Sequence, residues 1–370
     1  MSLLSPNTIA GNGSLIHRCF PLLGLKNRSF LSDNASQPSI RRGLRSRRPN
    51  SVSASATKAA SELEVPNRLS DSVTDGWKEF AERVSGEWDG YGANFTTEGK
   101  PTELPEAVVP EAFREWGVQV FDWQTQCPTL AETENPILFY KLIKLLPTVG
   151  CEADAATRYT IDERNVGGVN NKVYAFAYHR SGSYMAIWLV NDEGAPRVLE
   201  LEHCLVDPRN HESRVRVVQV VRVEGTVTRL ENIKVFIEQW YGPFRNGEQL
   251  GGCAIRDSTF ASTNALKESE VLGKWEGSNI SVNFQSVQAG VICELANDRP
   301  QNTVRNKDGL VVLPKQLWCS LKEREDDETS FEVGWLLDCG QSVTSRCVFL
   351  KDGQLKGISL GRESAMLEKI

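Results

Sequence analysis

Val84-Ser85-Gly86-Glu87-Trp88-Asp89-Gly90 returns later in the chain as Val271-Leu272-Gly273-Lys274-Trp275-Glu276-Gly277. Both copies read Gly-x-Trp-acid-Gly, and each has an Asn-Phe pair a few residues on, Asn94-Phe95 and Asn283-Phe284. A helix-like segment precedes each copy and strand-like alternation follows it. Gly86 and Gly273 stand 187 positions apart, far beyond the period of a stacked repeat. The pair therefore predicts the first strands of two successive barrel-like domains.

Just before the first copy, Trp77, Phe80 (or Ala81) and Val84 fall on one helical face, with Thr74 or Asp75 available as N-cap. Glu87 to Phe95 then reads as a strand and Glu98-Gly99-Lys100-Pro101 as a turn. Residues 101–147 interrupt the β pattern and are expected to form a helical insertion. Pro110 to Trp116 fits a short helix opened by proline, and Trp116 to Trp123 alternates like a strand. Ile137 to Leu146 sets Leu138, Leu142 and Leu145 opposite Lys141 and Lys144, which reads as a helix. Its role is either to cover a barrel end or simply to pack.

Residues 158–240 carry the clearest β signal. Val173–His179, Tyr184–Val190 and Arg197–Leu205 are joined by Arg180-Ser181-Gly182-Ser183 and Asn191-Asp192-Glu193-Gly194, both hairpin-type loops. Two further strands, Arg214–Glu224 and Thr226–Trp240, continue an antiparallel meander. Val215, Val217, Val221 and Val223 share one face, with Arg214, Arg216 and Arg222 on the other. Residues 257–268 read as a polar joint, and helix-like Asn264–Leu272 leads into the second copy. Strands follow near Trp275–Phe284, Val287–Glu294, Leu310–Glu323, Phe331–Asp338, Val343–Lys351 and Leu355–Arg362. The plan is a mainly β chain of two tandem antiparallel barrels, 76–256 and 269–370, the first with its insertion at 101–147.

Charge is distributed unevenly. Residues 1–57 hold seven Arg and one Lys against Asp33, a local +7; the chain as a whole carries −6, so residues 58–370 carry −13. An acidic body argues against nucleic acid or an anionic membrane surface as main partner. The Ser- and Arg-rich, acid-poor head, with Arg41-Arg42 and Arg45-Ser46-Arg47-Arg48, has the composition of an organellar transit peptide. Plastid is preferred over mitochondrion because serine dominates, and a disordered basic arm is the alternative. Residues 58–75 read as a linker. No apolar run approaches the length of a membrane span, and the expected location is the chloroplast stroma.

The search for chemistry returns no catalytic constellation. The nine cysteines include no C-x-x-C. Most read as small buried hydrophobes, while Cys339 and Cys347 are candidates for a cross-hairpin disulfide. His179, His203 and His211 are not paired at metal-ligand spacing, so no metal and no cofactor is expected. His203 and Cys204 are adjacent on one strand and point to opposite faces, which excludes a dyad; His203 shares the face of Leu199, Leu201 and Leu205. Glu200 and Glu202 lie opposite those leucines and are expected to face solvent. His179 and His203 remain weak candidates for ligand contact. Trp88 and Trp275 are expected to close barrel floors, with any function at the opposite, open ends.

Gly86-Glu87-Trp88 and Gly273-Lys274-Trp275, each after a short helix, resemble the first-strand Gly-x-Trp motif of lipocalins in the calycin superfamily. Phe331-Glu332-Val333-Gly334-Trp335-Leu336-Leu337, then Arg346-Cys347-Val348-Phe349 and Ile358-Ser359-Leu360-Gly361-Arg362-Glu363, is similar to the C-terminal part of a lipocalin-like domain-of-unknown-function family of cyanobacteria and plastids. The resemblance covers residues 76–370 as two related barrels. It implies binding of a hydrophobic small molecule (a tetrapyrrole, carotenoid or lipid) or assistance in pigment–protein assembly. Two alternatives stand beside it: a small-molecule cyclase, isomerase or chromophore lyase, and an adaptor with filled barrels that binds a plastid protein.

Overall fold

The segment before the first Gly-x-Trp sets the organisation of the molecule. The computed structural model describes residues 70–149, 157–190, 196–225, 227–248, 259–284, 290–323 and 328–366. The segment is helix α1 (Ser70–Val84), with Trp77, Phe80, Ala81 and Val84 buried on the single face that their spacing predicts. The helix starts a turn before the expected Thr74 or Asp75 cap, inside the expected linker. The expected transit segment 1–57 and positions 58–69 lie outside the described residues.

Among the described residues ten strands follow in the first part of the chain: β1 (Glu87–Phe95), β2 (Asp122–Gln126), β3 (Thr129–Ala131), β4 (Leu138–Leu145), β5 (Arg158–Val166), β6 (Val173–Tyr178), β7 (Tyr184–Leu189), β8 (Arg197–Val206), β9 (Ser213–Glu224) and β10 (Val227–Gly242). β6 to β10 pair in chain order as the predicted antiparallel meander, and β10 returns to pair with β1. β1 continues to β2 and β4; β4 also pairs with β3 and β5. The sheet curls as a half-barrel, and α1 packs against β3 and β12 (Val291–Glu294), the two ends of its strand order.

The second sheet uses β11 (Gly273–Asn283), β13 (Ala296–Arg305), β14 (Leu310–Leu313), β15 (Leu317–Glu323), β16 (Glu328–Leu336), β17 (Gln341–Leu350) and β18 (Leu355–Ala365). Their order is β13-β11-β18-β17-β16-β15-β14, antiparallel throughout, so here too the last strand returns to the first. The joint expected at 257–268 separates the two sheets except for β12, which crosses back to run parallel to β6 with Val291 opposite Ala175. Within the expected joint, Phe260, Ala261 and Leu266 are buried, and Val65–Ile370 holds together as one compact unit. The main core lies between the sheets. Leu199, Leu201, Val215, Val217 and Val235 of the first meet Leu317, Phe331, Val333, Cys347 and Ile358 of the second.

Three local expectations are corrected. The insertion at 101–147 holds three strands, β2 to β4, and its expected second helix, Ile137–Leu146, is β4. Leu138 and Tyr140 bury on the α1 side, whereas Ile143 and Leu145, also buried, fall on the opposite face by alternation. Apolar residues at both phases of one strand mimic helical spacing. The helix after Pro110 forms as α2 (Glu111–Glu115), but the strand expected from Trp116 starts only at Asp122. Gly117 (φ +66°) ends α2 in a Schellman motif, with Val118 N–H donating to Phe113 O and Gly117 N–H to Arg114 O. Finally, the helix-like Asn264–Leu272 is a single 3-10 turn, Glu268–Glu270. β13 carries no apolar signal because it is an edge strand, and an edge tolerates Pro300.

Candidate functional site

The face of the curled sheet beneath α1 corrects the polar reading most. Glu200 and Glu202, expected in solvent, are buried, as are Arg214, Arg216 and Glu238. Arg214 Nε contacts Glu238 Oε2 at 2.6 Å, and Arg216 bridges Glu238 (2.7 Å) and Glu202 (2.9 Å). Tyr140 OH, Tyr184 OH and Trp188 Nε1 donate to Glu202 at 2.5, 2.9 and 3.0 Å. Glu200 meets Arg164 and Lys234. Burial alone pushes the Glu202 carboxyl up, but Arg216 and the Tyr140 hydroxyl outweigh it and hold the group below the usual range. Two guanidiniums and two carboxylates thus balance in charge in a buried cluster. The alternation of β8 and β9 was legible; that α1 covers the polar face was not.

The two Gly-x-Trp copies have matching surroundings. Trp88 Nε1 donates to Val84 O at 2.9 Å, and Trp275 Nε1 to Val271 O at 2.8 Å. Arg214 lies 4.1 Å from the Trp88 ring, and Arg305 5.4 Å from Trp275 and 4.4 Å from Trp318. The second glycine of each motif faces a glutamate that binds that arginine. Gly90 pairs with Glu238, and Gly277 with Glu363, whose Oε2 is 2.6 Å from Arg305. A Cβ on Gly90 would stand 1.8 Å from Ile237 O, and one on Gly277 1.9 Å from Arg362 O. The motif is a packing device that joins first strand to last strand.

The histidines and thiols separate. His203 lies in the core between the sheets, its Nδ1 sharing a 2.8 Å hydrogen bond with Ser345 Oγ, and burial pushes its pKa down to about 3. Cys204 sits under α1, where burial pushes its thiol up to about 12. Cys347 is a free buried thiol, so the disulfide expected with Cys339 does not form. His211 is exposed. Among the described residues no three His, Cys, Asp or Glu side chains gather as a metal site.

His179 instead lines a cleft of about 230 Å³ at the seam of the two sheets. The β6–β7 hairpin supplies His179, Ser181 and Ser183, β8 supplies Leu205 and Val206, and β11 supplies Ser278 and Ile280; Asp298, Val343, Thr344, Leu360, Gly361 and Arg362 complete it. Nδ1 of His179 accepts the Ser181 N–H at 3.2 Å and meets Ser181 Oγ at 2.9 Å. Burial, then Arg362 and Arg180, push its pKa down to about 4. The ring is neutral at physiological pH and carries its proton on Nε2. His179 follows Ala175 and Ala177, and Arg362 follows Ile358 and Leu360, on rows that face the inter-sheet core. Those rows ending in a polar group were the available signal; sequence reading singled out His179 and missed Arg362 and Asp298. The strand pairing that brings these distant segments together was not visible.

No family model and no curated protein matches this sequence. Among solved structures, the chain is similar to a protein with unknown function from the DUF3598 family of Nostoc punctiforme. The TM-score is 0.47 at 13% identity, covering 79% of this chain and 99% of that one.

Proposed function

We propose that this is a non-catalytic, lipocalin-like protein of the chloroplast stroma, built from two related calycin-type units. In this reading it binds a hydrophobic small molecule (a tetrapyrrole, carotenoid or lipid) or assists pigment–protein assembly. The repeated Trp–Arg–Glu surroundings and the return of each last strand to its first strand support the paired units. The observation that carries binding is the seam cleft. It sets five apolar side chains, Leu205, Val206, Ile280, Val343 and Leu360, beside seven polar ones in one concave site, and concave sites of mixed chemistry are where small molecules bind. Aromatic side chains and paired charges are buried together under α1, and this reading moves the ligand from a barrel mouth to the seam. No helix among the described residues is long and apolar enough to cross a membrane.

The test is native mass spectrometry of protein recovered from chloroplasts, with titration of the neutral fluorophore N-phenyl-1-naphthylamine. A retained small molecule and saturable probe binding are expected, and Ser278→Trp, which fills the cleft, removes both while the fold persists. Absence of both from the wild-type protein sinks the reading. The aromatic and charged side chains buried under α1 support the adaptor alternative, in which the protein leaves the chloroplast extract in a defined complex and carries no small molecule.

A further inference from the structure

We infer that the seam cleft recognises an amphipathic monocarboxylic acid, with Arg362 and His179 receiving the carboxylate and the apolar wall receiving the tail; this rests on the cleft being the ligand site. Arg362 is the one member of the row Ile358, Leu360, Arg362 that carries a charge, and it has no ion pair or hydrogen bond among the described residues. Arg362 stands at the exposed end of that row, at the cleft, where its free guanidinium can receive a planar anion through paired N–H donors. His179 contributes a second donor. Its Nδ1 is occupied by Ser181, which leaves the Nε2–H for a ligand oxygen.

Thr344 lies opposite Gly361 on the neighbouring strand. A Cβ at position 361 would stand 2.6 Å from Thr344 Oγ1, so the glycine keeps the floor open beside that hydroxyl. Asp298 on the rim decides the charge of the ligand. Arg362 and Asp298 cancel in charge, so a monoanion seated on the guanidinium leaves the cleft one negative charge in excess and a phosphate dianion two, which Asp298 repels more strongly. The apolar wall excludes a small hydrophilic acid as the preferred ligand, because burying that wall against hydrocarbon supplies the remaining affinity.

The experiment compares octanoate, octan-1-ol and octyl phosphate by titration calorimetry on the full chain at pH 7.5. Octanoate is expected to bind at least tenfold more tightly than octan-1-ol, and Arg362→Gln to remove that tenfold while leaving octan-1-ol unchanged. Arg362 is exposed, so the variant keeps its fold, which circular dichroism verifies. Octyl phosphate is expected to bind more weakly than octanoate, with Asp298→Asn narrowing the gap. Equal binding of acid and alcohol, equal weakening of both by Arg362→Gln, or tighter binding of octyl phosphate overturns the inference while the binding site stands. Failure of octanoate, octan-1-ol and N-phenyl-1-naphthylamine alike overturns the binding reading as well.

Discussion

Glu238 is the residue on which the interior of the first sheet turns. It holds Arg214 and Arg216 at once and is fully buried. Glu238→Gln leaves two buried guanidiniums sharing Glu202 as the remaining carboxylate of the cluster. Removing one member of a buried ion pair costs about 3–5 kcal/mol, so chemical denaturation is expected to show a loss of that size. Arg216→Met is the mirror case: it leaves Arg214 with Glu238 and strands Glu202 on the hydrogen bonds from Tyr140, Tyr184 and Trp188, and is expected to cost a similar amount. A much smaller loss for Arg216→Met would show that the three neutral donors on Glu202 replace its guanidinium. The arginine on each Gly-x-Trp ring belongs to the same logic, since the indole accepts the cation face-on while glutamates take its edge.

At the scale of elements, β1 and β11 perform one task with one geometry. Their second glycines, Gly90 and Gly277, let the first strand lie against β10 or β18 where any side chain would strike a carbonyl oxygen. Gly90→Ala and Gly277→Ala are therefore expected to destabilise alike, on the overpacking scale of about 1–3 kcal/mol. Thermal melts check this, and a neutral result at either position would break the equivalence of the two copies. The sequence shows this repetition directly, because both copies keep the same residue types at the same spacing. It also shows the meander from β6 to β10, where alternation and turn residues agree. It hides β4, whose apolar residues serve two faces, and β13, whose edge position asks for none. It hides most of the cleft, because register rather than composition brings His179 beside Arg362.

For the whole molecule, the core between the sheets makes stability a joint property and gives it a pH dependence. His203 of the first sheet and Ser345 of the second meet inside that core, and β12 ties the second half of the chain to β6 of the first sheet. Urea unfolding is therefore expected to be one transition, with tryptophan fluorescence and far-ultraviolet circular dichroism coinciding; two separated transitions would show the sheets to be independent. His203 has a folded pKa near 3, well below the ordinary imidazole value. Its contribution is present above about pH 6.5 and is lost as pH falls toward 3, at about 1.4 kcal/mol per pH unit. Asp89 acts in the opposite sense. Burial raises it to about 7, so its contribution is present below about pH 4 and is lost as pH rises through 7. Because the two offset each other in the wild-type protein, the histidine is read by difference. His203→Gln keeps a partner for Ser345 and removes the titration. Its stability relative to wild type is expected to rise by about 1.4 kcal/mol for each unit of acidification between pH 6 and pH 4. Urea midpoints at pH 7, 6, 5 and 4 measure that difference, and a difference constant with pH would show that protonation of His203 does not oppose the joined core.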